Sequence, residues 1–166
     1  MRILGIDPGY AIVGWGIIDS ERGSIRPVAY GAITTPAHTD IEERLLMIRN
    51  DLISVIKKYS PDEMAIEELF FNTNITTGIA VAEARGVIIC TAHELGVKVS
   101  EYTPLQVKQA VVGYGKAEKQ QVIAMVTSIL RLKSPPKPDD TADAVAIAIC
   151  HSHSAGSAMG KYFNQK

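Results

Sequence analysis

Two short apolar runs that each end on a carboxylate constrain this chain more than any other feature. Ile3-Leu4-Gly5-Ile6 closes on Asp7, and Met64-Ala65-Ile66 closes on Glu67. Runs this short suit strands covered on both faces, whose last residue emerges at the edge of a sheet. Pro8-Gly9-Tyr10 supplies turn chemistry after Asp7, and Ala11 to Ile18 is a second β-rich run, so the pair reads as a hairpin. Glu21-Arg22-Gly23 then turns the chain into a third strand over about Ile25 to Ile33. Three sequential antiparallel strands follow from this order.

Asp40-Ile41-Glu42-Glu43 has the form of a helix start, with an N-cap acid and a glutamate three residues later that can reach back to the cap amide. Ile41, Leu45, Ile48, Leu52, Val55 and Ile56 recur at helical spacing, and Ser60-Pro61 ends the element. A small-residue helix is expected from about Ile75 to Leu95, where Gly78, Ala80, Ala82, Ala84 and Gly86 permit close packing. Val97-Lys98-Val99 reads as the next strand. Helices are then expected near Pro104 to Val111, from about Glu118 to Leu132, and from about Asp140 onward, separated by Gly113-Tyr114-Gly115 and by Ser134-Pro135-Pro136. With no internal repeat and no linker, residues 1–155 are expected to form one domain, and the Ser, Gly and Lys content of 156–166 points to a flexible tail.

The 166 residues are 46% hydrophobic and 21% charged, enough to bury a core without disulfide or metal staples. Cys90 and Cys150 each sit in an apolar stretch and read as small hydrophobes. No run reaches the roughly 18 apolar residues of a membrane span, and the first residues do not form a signal peptide, so a cytoplasmic location is expected. The net charge of −1 does not announce a nucleic-acid partner. Its distribution is uneven, however. Between Pro104 and Pro138, Lys108, Lys116, Lys119, Arg131, Lys133 and Lys137 face the single acid Glu118, which implies a local positive surface.

Asp7 and Glu67, at strand ends, are where a sheet presents reactive side chains; a lone acid there equally starts a loop. Asp140 and Asp143 lie at i and i+3, on one face at the start of the last helix, where capping and metal binding both want an acid. If the four converge, they cannot all ionise at neutral pH without a compensating cation. Hard oxygen ligands select Mg²⁺, with Mn²⁺ as substitute, and two such ions roughly 3.5–4 Å apart suit phosphodiester hydrolysis.

Six segments occur in one order: Ile3-Leu4-Gly5-Ile6-Asp7-Pro8-Gly9; Ala65-Ile66-Glu67; Ala84-Arg85-Gly86; Gln106 to Gln109 with Val111-Val112-Gly113; Ala117-Glu118-Lys119; and Asp140 through Ala148. Together they resemble the bacterial RuvC resolvase family, over nearly the whole chain to about Met159. The resemblance implies a ribonuclease-H-like α/β fold, a five-stranded mixed sheet flanked by helices. It also implies a homodimer that resolves four-way (Holliday) junction DNA by paired nicks, leaving 5′-phosphate ends. Asp7, Glu67, Asp140 and Asp143 fall on the family's catalytic, metal-holding acids, Lys108 and Lys119 on its junction-contacting lysines, and Phe70 on an aromatic that stacks on bases. The RuvA and RuvB branch-migration proteins are the implied partners.

Other readings remain open at this point. Each lysine alone is a solvated side chain, and Phe70-Phe71 is an ordinary packing pair. Cys150, His151 and His153 lack a second ligand group at zinc-finger spacing. Gly9, Gly14 and Gly16 with Asp7 resemble the phosphate loop of actin-like ATPases, which need two lobes and a longer chain. A YqgF-type nuclease acting on another nucleic acid, and a catalytically silent junction-binding protein, are the two functional alternatives.

Overall fold

The computed structural model describes residues 1–69 and 75–155, the side chains of 75–77 excepted. Phe70 and the tail 156–166 lie outside the described residues. The elements run β1 (Arg2–Asp7), β2 (Ile12–Glu21), β3 (Ser24–Thr34), α1 (Ile41–Tyr59), β4 (Glu63–Glu67), α2 (Ile75–Glu94), β5 (Lys98–Tyr102), α3 (Pro104–Val112), α4 (Lys119–Ile129) and α5 (Asp139–Ala155). The sheet is five-stranded in the order β3-β2-β1-β4-β5. β1, β2 and β3 pair antiparallel, whereas β1–β4 and β4–β5 are parallel. The central strands β1 and β4 bury Ile3, Leu4, Ile6, Met64, Ala65 and Ile66 completely, as apolar runs without polar alternation require.

Alternation divides these residues between two cores. Leu4, Ile6, Ile17, Met64 and Ile66 pack with Ile48 and Leu52 of α1 and Ala84 and Ile88 of α2. Ile3, Ile18 and Ala65 pack on the other face with Val107, Val122, Val126 and the apolar residues of α5. Helix α5 lies very close to the hairpin. A Cβ on Gly5 would fall 2.0 Å from the Ala144 carbonyl oxygen, and one on Gly16 would fall 2.4 Å from a Val145 methyl. Glycine on the strands and alanine on the helix let the two backbones meet.

Element ends show where local chemistry outweighed the sequence signals. Asp40 is the N-cap of α1, but its side chain makes no capping bond; its carbonyl accepts from Arg44 N at 3.1 Å. Capping boxes stand instead on later helices: at α3, Thr103 accepts from Gln106 N at 3.2 Å and Gln106 accepts from Thr103 N at 2.7 Å, and at α4, Gln121 accepts from Glu118 N at 2.9 Å. α4 stops at Ile129 rather than Leu132, because Arg131 turns left-handed at φ 51° and Leu132 N bonds back to Thr127 O.

Candidate active site

Asp7 and Glu67 end adjacent parallel strands, one step beyond the paired residues Ile6 and Ile66. Those isoleucines face α1 and α2, so strand alternation turns both acids to the opposite face, toward α3, α4 and α5. Asp140 and Asp143 arrive on α5. Gly14 is paired with Asp7 across the hairpin, and a Cβ there would lie 2.0 Å from the Asp140 carbonyl oxygen. The absence of a side chain at position 14 therefore sets how near the first turn of α5 comes to Asp7.

The acids feel one another. Burial, then the charges of Asp143, Glu67 and Asp140, push the Asp7 carboxyl up to about 8, against an opposing pull from Lys119. Burial and Asp143 push Glu67 up to about 7, opposed by Lys108 and Lys119. Asp143 is also raised, burial outweighing its hydrogen bond with Lys119. Lys119 Nζ lies 2.9 Å from Asp143 Oδ2 and 3.7 Å from Asp139 Oδ2. Burial works to lower the Lys119 pKa, and the bond to Asp143 with the surrounding acids raises it. Glu67, Lys108, Lys119 and Asp143 share a cleft of about 210 Å³ with Pro104, Val107 and Val122.

The structure thus gathers Asp7, Glu67, Asp140, Asp143, Lys108 and Lys119 at one end of the sheet. The donors are carboxylate oxygens, the type a hard divalent cation takes, and burial first, with like charge second at Asp7 and Glu67, makes their ionised forms costly without a cation. Among the described residues, no three Asp, Glu, His or Cys side chains stand close enough to grip an ion as they lie. The ammonium of Lys119 pairs with Asp143 in this arrangement.

Three further residues take their places only in the structure. Glu68, adjacent to Glu67, belongs elsewhere: with Leu69, Ala82, Arg85 and Glu101 it lines a separate cavity of about 340 Å³. His151 is 1% exposed and bonds Tyr102 Oη through Nδ1 and Glu63 Oε2 through Nε2, both at 2.8 Å. It is therefore a satisfied core histidine between two strands. Burial lowers its pKa despite the nearby Glu63. Arg85 donates through Nε to the backbone carbonyl of Glu67 at 3.2 Å; apart from its place in a shared segment, nothing in the sequence marks it.

Residues 3–151 match the family model for crossover junction endodeoxyribonuclease RuvC. The chain belongs to the RuvC family. It is 56% identical over 154 residues to the RuvC crossover junction endodeoxyribonuclease of Desulfitobacterium hafniense, covering 93% of each chain, and 56% identical to that of Clostridioides difficile, covering 93% and 91%. The solved structure of Thermus thermophilus RuvC in complex with Holliday junction substrate superposes with a TM-score of 0.90 at 35% identity, over 96% of this chain and 97% of that one. The mixed sheet is thus the ribonuclease-H-like sheet of RuvC structures. Five of the six segments by which the sequence resembles RuvC proteins wall the site: Asp7 closes β1, Glu67 closes β4, Lys108 lies on α3, Lys119 opens α4, and Asp140 and Asp143 lie near the start of α5.

Proposed function

We propose that this chain is a metal-dependent crossover junction endodeoxyribonuclease that nicks opposed strands of four-way junction DNA in recombination and repair. The observation that carries the reading is the meeting of Asp7, Glu67, Asp140 and Asp143 beside two lysines, within a chain of the RuvC family. RuvC nucleases are metal-dependent. When bound, Mg²⁺ or Mn²⁺, two ions per site in our reading, supplies the Lewis acidity that polarises a phosphodiester and acidifies a water. Asp7, Glu67, Asp140 and Asp143 would hold those ions through their carboxylate oxygens.

The chain's own groups account for charge and placement. With its carboxyl pushed up to about 8, Asp7 is mostly protonated near neutral pH, and Glu67, at about 7, is about half so; a cation that binds them would displace those protons. Lys119, released from Asp143, and Lys108, which lines the same cleft, suit the phosphates flanking the cut as two cations beside the acid cluster. We assign Phe70, two residues beyond Glu68, to stacking on a base near the junction centre.

Paired nicks call for two copies, and we infer a homodimer. The exposed side of α2, with Ile79, Gly86 and Cys90, suits such a contact. We also read residues 1–155 as one nuclease domain with 156–166 as an appended tail, the cytoplasm as its compartment, and RuvA and RuvB as partners. Among the described residues no helix is long and apolar enough to cross a membrane.

The test is nicking of a synthetic four-way junction with Mg²⁺, Mn²⁺ or excess chelator. Cutting is expected only with metal, and Asp7→Asn should bind the junction without cutting it. Equal cutting in chelator would refute the metal mechanism, and lost binding in Asp7→Asn would make that acid structural. Preference for another nucleic acid over the junction would favour the YqgF-type alternative.

A further inference from the structure

Ala84-Arg85-Gly86 is one of the segments by which the sequence resembles RuvC proteins, yet it has no part in the chemistry above. Its place in the hydrogen-bond ladder supplies a reason. In a central strand flanked by parallel neighbours, successive residues direct their N–H and C=O groups to alternate sides. Glu68 N donates to Tyr102 O of β5 at 2.8 Å, so the Glu67 carbonyl points the other way, toward β1. With Ile6 in register with Ile66, the donor next in line for that carbonyl is residue 8. Residue 8 is proline and has no N–H.

The ladder therefore leaves the carbonyl of Glu67 without a strand donor, and Arg85 Nε fills the position at 3.2 Å from α2. The same guanidinium reaches Glu101 Oε2 on β5 through Nη2 at 2.5 Å, and its side chain is only 18% exposed. One planar fork thus ties α2, the end of β4 and β5 together at the peptide from which the Glu67 carboxylate projects. We propose that Arg85 is a positioning residue for Glu67, replacing the hydrogen bond that Pro8 removes and fixing the peptide that carries the acid. Arg85 itself contacts neither the cleft nor its lysines. The proposal rests on the reading of Glu67 as a metal-holding acid.

The experiment compares full-length wild type, Arg85→Ala and Arg85→Lys. It reads single-turnover nicking of a four-way junction, junction affinity in Ca²⁺, Mn²⁺ affinity without DNA by electron paramagnetic resonance, and thermal melting. Arg85→Ala should lose roughly 10- to 100-fold in the nicking rate and bind Mn²⁺ more weakly, with junction affinity within about twofold of wild type. Guanidinium ion at millimolar concentration should restore part of the rate to Arg85→Ala, and none to Glu67→Gln. Arg85→Lys, which offers charge without the fork, should fall between.

An unchanged rate and Mn²⁺ affinity in Arg85→Ala would overturn the proposal, as would a loss of junction affinity equal to the loss of rate. If Arg85→Ala does not fold, Arg85→Lys decides by the same two readouts, wild-type values overturning the proposal. Wild type that neither binds Mn²⁺ nor cuts would instead refute the nuclease reading itself, so the two failures are distinguishable.

Discussion

Gly14→Ala tests how the acids are brought together. The new methyl carbon would begin 2.0 Å from the Asp140 carbonyl oxygen, 2.4 Å from the Asp140 carbonyl carbon and 3.1 Å from Thr141 N. All three are backbone atoms, so no rotamer change can yield; the first turn of α5 must retreat from β2 by about 1 Å or more to reach an ordinary contact. Gly14 is the strand partner of Asp7, so that retreat opens the distance between Asp7 and the acids of α5. Forcing a methyl into such a contact costs about 1–3 kcal/mol, or roughly 2–12 °C of melting temperature for a domain of this size. A displacement of about 1 Å at a catalytic constellation costs on the order of 100-fold in rate. The assay pairs thermal melting with single-turnover nicking of a four-way junction in Mg²⁺. Gly23→Ala is the control. Position 23 lies at the β2–β3 turn with nothing within 4 Å of an added Cβ, but its φ of +81° strains any side chain. It should lower the melting point by a similar few degrees and leave the rate alone. A Gly14→Ala variant that cuts at the wild-type rate would show that contact of α5 with the hairpin does not set the geometry of the site.

The charge in the site predicts an unusual pH dependence. A carboxyl whose folded pKa is raised binds its proton more tightly in the folded chain, so its contribution to stability is complete below about pH 4 and lost as pH rises toward about 7 for Glu67 and about 8 for Asp7. In chelator, the melting temperature of wild type should therefore fall more steeply between about pH 5 and about pH 9 than that of Asp7→Asn, and Mg²⁺ should stabilise most at the alkaline end; parallel curves would contradict the assignment. Lys108→Ala should weaken junction binding at all sequences and reduce the slope of log affinity against log salt by about 1; an unaltered slope would remove Lys108 from the phosphate contacts. Phe70→Ala should bind the junction nearly as wild type does and cut it poorly, and a normal cutting rate would return Phe70 to a packing role.

Strand placement was readable because burial on both faces leaves an apolar run too short for anything else. Leu4, Ile6, Met64 and Ile66 meet one core and Ile3 and Ala65 the other, so the runs could not alternate with polar residues. The same logic made the terminal acids conspicuous. The start of α5 was ambiguous for an equally physical reason: helix capping and metal binding both favour acids in the first turn. Only packing separates the two there. Asp143 pairs with Lys119 and its charge reaches Asp7, and the Asp140 backbone rests on Gly14. Gly14 and Gly16 show the opposite error of emphasis. Their spacing after Asp7 invites comparison with a phosphate loop, yet their use here is to seat a helix, with Asp140 and Val145 occupying the space a side chain would take.

Contacts that depend on register were the least legible. Within Gly5-Ile6-Asp7-Pro8-Gly9, Pro8 reads as turn punctuation, and that reading accounts for every neighbour it has in sequence. Its second consequence falls 59 residues away, on the carbonyl of Glu67, and is visible only once Ile6 is known to pair with Ile66 in parallel. A proline that ends a central parallel strand must leave one carbonyl of its neighbour unmet, and a buried carbonyl without a donor costs about 1–3 kcal/mol. Something has to supply the missing N–H. The candidates are water, which would leave the peptide free to tilt, or a side chain from the covering helix, which would not. In this chain it is Arg85, anchored a second time by Glu101, and the carbonyl concerned belongs to Glu67, the residue we propose holds metal through its carboxylate, a role that calls for placement within a fraction of an ångström. The turn that frees Asp7 at the end of β1 thereby creates, on the adjacent strand, the vacancy through which α2 can fix Glu67.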